Sequence, residues 1–223
     1  MERVLVVAVH PDDETLGCGG TLLKHKEKGD SIHWLIVTDI DGDELFEVSF
    51  RKKRKEEISL VTKAYPFDSV HNLNLPAGRL DAISQFELVP KFAKVIREIN
   101  PSVVYLPYMH DVHSDHKVAF YTGLGSTKTF RYPGVKQVFM METISETDYA
   151  PGLPGFVFSP NVFEDITRYI ERKTQIMQLY ESELSEAPFP RSLGNIRALA
   201  AYRGSQSGFL YAESFMLLKY LRE

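Results

Sequence analysis

The 223-residue sequence contains a single cysteine, Cys18, so no disulfide can form between its own residues. That fits a reducing compartment, and a cytoplasmic setting is the expectation. A basic surplus is also missing. Lys and Arg number 26 against 30 Asp and Glu, a net charge of −4. Nothing in that balance calls for nucleic acid or an anionic membrane as a partner. One local run, Arg51-Lys52-Lys53-Arg54-Lys55, is answered at once by Glu56-Glu57 and reads as a solvated helix face. Long apolar runs are missing too. The run over residues 4–9 is too short for a signal-peptide core or a membrane span. No internal repeat or low-complexity stretch interrupts the chain, and formation of a homo-oligomer is left open.

What is present alternates between two periods. Residues 4–9 form a β-branched run of the kind expected for a strand buried on both faces of a parallel sheet. Residues 15–28 read as a helix closed by Gly29. Strands are expected over 32–37, 70–75, 103–106 and 135–141. Helices are expected over 46–64, 86–99 and 116–123, the second of them stopped by Asn100-Pro101. The alternation implies one α/β domain over 1–223, a Rossmann-like three-layer sandwich with a mostly parallel sheet. Residues 149–160, rich in Pro and Gly, read as a surface loop suited to act as a lid. Residues 161–182 carry a helical period, 182–191 are irregular, and 196–222 resist typing.

Two loops hold the chemistry. His10-Pro11-Asp12-Asp13-Glu14 follows the first strand directly. Carboxylates this close repel one another and call for a cation or a proton. An imidazole from His10 and a carboxylate from Asp13 suit zinc, and Pro11 stiffens the chain between them. Asp111-Val112-His113-Ser114-Asp115-His116 follows the fourth strand and again mixes histidine with carboxylate. In the usual strand order, strands one and four are neighbours at the point where the winding reverses, and ligands bind there. Two histidines and a carboxylate would leave a zinc position open for water, as in hydrolytic sites. The competing reading of each cluster alone is a surface hydrogen bond.

Other features have plainer readings. Glu14 suits the dipole at the start of a helix. The glycines of Gly17-Cys18-Gly19-Gly20 do not match a dinucleotide fingerprint and suit close helix-to-sheet packing. Cys18 among them reads as a buried structural thiol rather than a nucleophile. His25, His33, His71 and His110 read as structural or solvated.

Ala8-Val9-His10-Pro11-Asp12-Asp13-Glu14 resembles the signature loop of the LmbE-like, or PIG-L, N-deacetylases, and His113-Ser114-Asp115-His116 resembles that family's second motif. Gly17, Gly19, Gly20 and Val37-Thr38 match as well. Tyr202-Arg203-Gly204 and residues 211–215 resemble a weaker closing motif. The resemblance implies zinc, or alternatively iron(II), on His10, Asp13 and His116. It implies Asp12 as general base and His113 as the group that steadies the oxyanion or protonates the leaving amine, with Asp115 orienting His113. It implies that Arg54 contacts substrate, and that the substrate is a small N-acetylglucosamine-like sugar conjugate in glycoconjugate or thiol-precursor biosynthesis. An amidase on another acyl amine, a metal-dependent phosphoesterase and a metal-stabilised sugar-binding module are the alternatives. The chain departs from the family after strand three. Leu75-Pro76-Ala77-Gly78-Arg79 has Ala77 and Arg79 where many relatives carry an acid.

Overall fold

The computed structural model describes residues 1–222. Its centre is a seven-stranded sheet: β1 (Arg3–Ala8), β2 (Ser31–Asp39), β3 (Ser69–Pro76), β4 (Val103–Leu106), β5 (Gln137–Met141), β6 (Val162–Asp165) and β7 (Ala212–Tyr220). The spatial order is β3-β2-β1-β4-β5-β7-β6. The first five strands pair in parallel, while β7 runs antiparallel to both β5 and β6. Six helices pack around the sheet: α1 (Asp13–Glu27), α2 (Val48–Ala64), α3 (Gln85–Ile99), α4 (Ser114–Gly125), α5 (Ile170–Met177) and α6 (Leu193–Ser207). No described helix is long and apolar enough to cross a membrane.

The β1 sequence explains the layering. Leu5 and Val7 enter one core with Phe92, Ile96 and Phe120 of α3 and α4. Val4, Val6 and Ala8 enter the other with Leu22 of α1, Val61 of α2 and Ile176 of α5. A strand buried on both faces needs the unbroken apolar run seen in the sequence. The glycines of α1 have the expected steric cause. A Cβ on Gly17 would sit 2.7 Å from the Met141 sulfur, and one on Gly20 would sit 2.7 Å from Ile166. The α3 stop also falls where expected, with Asn100 in the left-handed region at φ 47°.

The largest departure is at residues 161–182. The chain there forms β6, then a turn, then the short α5, rather than one helix. Val162 to Asp165 pair with Phe215 to Ala212, partners some fifty residues downstream that local periodicity cannot reveal. The untyped C-terminal stretch resolves into α6 and β7. Residues 149–160 form turns without regular structure.

Candidate metal centre and its cavity

β1 and β4 are direct neighbours, with Val4 opposite Val103 and Val6 opposite Tyr105. Their carboxyl ends therefore deliver the two chemically rich loops to one place, the crevice expected at the winding reversal. The first loop is tied down by its own acids. One Asp13 oxygen accepts the Val9 and His10 amides, each at 2.9 Å. Thr38 at the end of β2 donates its amide and its hydroxyl to the Val9 carbonyl at 3.0 and 2.8 Å.

Between those anchors the backbone is strained. Asp12 has φ 140°, a region that costs a non-glycine residue on the order of 1–3 kcal/mol. The peptide joining Pro11 to Asp12 is gripped from both sides. Its carbonyl accepts a short hydrogen bond from Arg54, and its N–H donates to Glu14 at 3.1 Å. Glu14 is wholly buried and also accepts from Thr15 and Tyr180. Burial, only partly offset by these hydrogen bonds, raises its carboxyl to about 7. Glu14 thus does more than answer a helix dipole, because it holds the Asp12 amide.

The second loop places His116 in the first turn of α4, fully buried. His116 Nε2 lies 3.3 Å from His10 Nδ1 and 3.4 Å from Asp13. One donor atom from each of His10, Asp13 and His116 falls within a 4.8 Å set. The outward nitrogens are held by carboxylates. His116 Nδ1 meets Asp111 at 2.8 Å, and Asp111 in turn accepts from the Thr147 hydroxyl at 2.6 Å. His10 Nε2 faces Asp115 at 3.4 Å. Carboxylates behind both imidazoles fix the ring orientations that metal ligands require. The electrostatics agree with the donor chemistry. Burial alone would lower His116, yet Asp13 and Asp111 raise it to about 9. A place that draws a proton onto a fully buried imidazole is a place suited to a cation, so these residues fit a metal ion.

The expected pairing of Asp115 with His113 is not what the structure holds. The Asp115 carboxylate accepts the Gly78 and Leu80 amides at 2.6 and 2.9 Å and turns its remaining reach to His10. Gly78 delivers its amide from a left-handed turn at φ 72°. Asp115 touches His113 only through its own backbone N–H, which donates to His113 Nδ1 at 3.1 Å. Burial, together with the charges of His10 and His116, lowers His113 below the usual imidazole range. A neutral ring accepting at Nδ1 carries its proton on Nε2. With Nδ1 accepting from the Asp115 amide, the His113 ring is not held by the Asp115 carboxylate.

Asp12 is 3% exposed. Burial first, then the charges of Asp13 and Glu183, push its carboxyl well above the usual range, while Arg54 and Arg191 pull against that rise. Arg54 itself corrects the solvated-face reading of the basic run. Lys52, Lys53 and Lys55 are exposed, but Arg54 is 6% exposed and lies over the Tyr180 ring. Besides Pro11 it pairs with Glu57 and Glu183, both at 3.2 Å.

A cavity of about 350 Å³ opens over the cluster. His10, Asp12, Asp13, His113 and Arg54 line it, together with Phe46, Phe50, Glu146, Glu183 and Arg191. No residue of 149–160 does so. That stretch packs instead through Phe156 on His110 and through Phe158 on Tyr108, so it is not the lid expected of it. Sequence reading gave no role to Asp111, although an acid five residues before a candidate ligand histidine in the same loop was the available signal. Glu183 and Arg191 had no such signal. They come from an irregular stretch that Glu57 clamps by accepting from Ser182.

The site and sheet together define an α/β protein with a candidate single-metal centre of two histidines and one aspartate. The chain belongs to the PIG-L family, described as GlcNAc-PI de-N-acetylase, whose model matches residues 5–124. It is 28% identical over 229 aligned positions to the diacetylchitobiose deacetylase of Thermococcus kodakarensis, covering 96% of this chain and 82% of that one. Among solved structures it resembles the conserved protein TT1542 of Thermus thermophilus, with TM-score 0.79, 26% identity and coverage of 100% and 97%. The N,N'-diacetylchitobiose deacetylase of Pyrococcus horikoshii shares the fold, with TM-score 0.79 at 20% identity over 98% and 84% of the chains.

Proposed function

We propose that this protein hydrolyses the acetamide of an N-acetylglucosamine-like sugar, releasing acetate and the free amine, with a metal ion on His10, Asp13 and His116. Zinc suits the two-imidazole, one-carboxylate donor set. The observation that carries the reading is that His10 and Asp13 of that donor set line one cavity with Asp12 and His113, while His116 lies buried against them. Family membership and the likeness to a diacetylchitobiose deacetylase support the choice of substrate.

When bound, the metal supplies an acidified water and a polarised carbonyl. The chain supplies the proton traffic. Asp12, buried and with its carboxyl raised, takes a proton from the attacking water. The same carboxyl then holds that proton for the departing nitrogen, so the broken C–N bond yields a neutral amine. His113 donates from Nε2 to the acetamide oxygen as negative charge builds there. Neither role requires a charged His113.

Amine release from N-acetyl sugars, measured before and after a strong chelator, tests the proposal. Release should vanish on chelation and return with zinc. Undiminished turnover in the chelated, metal-free protein would contradict it.

A further inference from the structure

Resting on the deacetylase reading, we infer that the substrate is an uncharged glycoside, whose non-reacting part is a second sugar ring stacked on Phe46 and Phe50. The charge inventory of the cavity carries the first half. Among the described residues that line it, the only Lys or Arg side chains are Arg54 and Arg191. Both are already engaged by one carboxylate. Arg54 meets one Glu183 oxygen at 3.2 Å, and Arg191 meets the other at 3.0 Å. Together with Glu57, which pairs with Arg54 at 3.2 Å, Glu183 offsets the two cations where an anionic substrate would need them. The remaining acids of the mouth, Asp39 and Glu146, add negative charge that a phosphate or carboxylate would meet. Outside the mouth the wall stays acidic. Asp41, Asp43 and Glu44 line the adjoining groove, and its arginine, Arg79, lies 3.4 Å from Asp43. A neutral sugar finds in the same carboxylates good acceptors for its hydroxyls.

The aromatic pair carries the second half. Phe46 and Phe50 lie four residues apart, where the chain enters α2. Their rings are nearly parallel at 15° and 5.9 Å between centroids. Both are half-buried and both face the cavity. The stacked pair presents apolar ring surface at the mouth of a polar cavity, which suits the C–H face of a pyranose. His10 and Asp13 of the candidate donor set line the cavity, and its volume of about 350 Å³ leaves room beyond one reacting ring.

The test uses the zinc-loaded protein and three probes: N-acetylglucosamine, N,N'-diacetylchitobiose, and N-acetylglucosamine 1-phosphate. Deacetylation of the neutral disaccharide should exceed that of the monosaccharide by about three- to tenfold in kcat/KM, the scale of one ring contact. The phosphate should fall at least about tenfold below the monosaccharide. Replacing both rings, Phe46→Ala with Phe50→Ala, should collapse the disaccharide-to-monosaccharide ratio toward one, mainly through KM. Glu183→Gln should release the arginines and raise the ratio of phosphate to neutral-sugar efficiency. Because each variant is read as a ratio, a general loss of activity does not mask the result. Preference for the phosphate, or a disaccharide ratio unmoved by the double variant, would overturn this inference and leave the deacetylase reading standing. Release of amine from none of the three probes would overturn both.

Discussion

At the scale of single residues, the site depends on which carboxylate stands behind which imidazole. Asp111 holds His116 at 2.8 Å and Asp115 faces His10 at 3.4 Å. Each acid favours the tautomer that points the opposite nitrogen at the metal position. Asp111→Asn should therefore weaken zinc affinity about 10- to 100-fold in a chelator competition. Asp115→Asn should weaken it less, because the contact is longer and the acid also serves two amides of the turn after β3. Parent-like affinity in Asp111→Asn would remove the acid from the site's account. The motif His113-Ser114-Asp115-His116 was legible as chemistry, but its internal pairing was not. The family resemblance implies that the side chains of His113 and Asp115 meet. The structure instead gives Asp115 its partners from another loop, at Gly78 and Leu80, and leaves His113 capping α4 through its ring.

At the scale of elements, α2 matters to the site through one side chain. Arg54 leaves the exposed basic run and reaches the Pro11 carbonyl, on the peptide whose N–H is held by Glu14. That double grip holds the Asp12 backbone in its strained conformation, so in the proposed mechanism Arg54 positions the base. Lysine preserves the charge but cannot fork among Pro11, Glu57 and Glu183. Arg54→Lys should lower kcat by roughly ten- to a hundredfold with KM little changed and zinc retained, because a displaced base loses the reaction geometry. A raised KM at parental kcat would identify Arg54 as a substrate contact, as the family resemblance implies. The first five strands and four helices were readable because each buries a local pattern in a local βα unit. β6 and β7 were not, because each is defined by the other across a long separation and by pairing rather than by period. Glu183 and Arg191 were hidden for the same reason. Their places depend on Glu57 and Arg54 capturing a stretch with no regular structure of its own.

At the scale of the whole molecule, the fold's contribution is to make β1 and β4 neighbours. Neither loop alone supplies the candidate ligand set of His10, Asp13 and His116, and each loop alone reads as a surface cluster. Their union at the carboxyl edge of a parallel sheet produces a buried set with a cavity on its open side. The central claim is that this set, split across two loops more than a hundred residues apart, binds the metal while Asp12 beside it does not. Metal analysis of three purified proteins tests this most directly. The parent and Asp12→Ala should each hold one zinc per chain, with activity in Asp12→Ala down by about a hundredfold to ten-thousandfold. His116→Ala should hold little or none. Full zinc occupancy in His116→Ala would contradict the account.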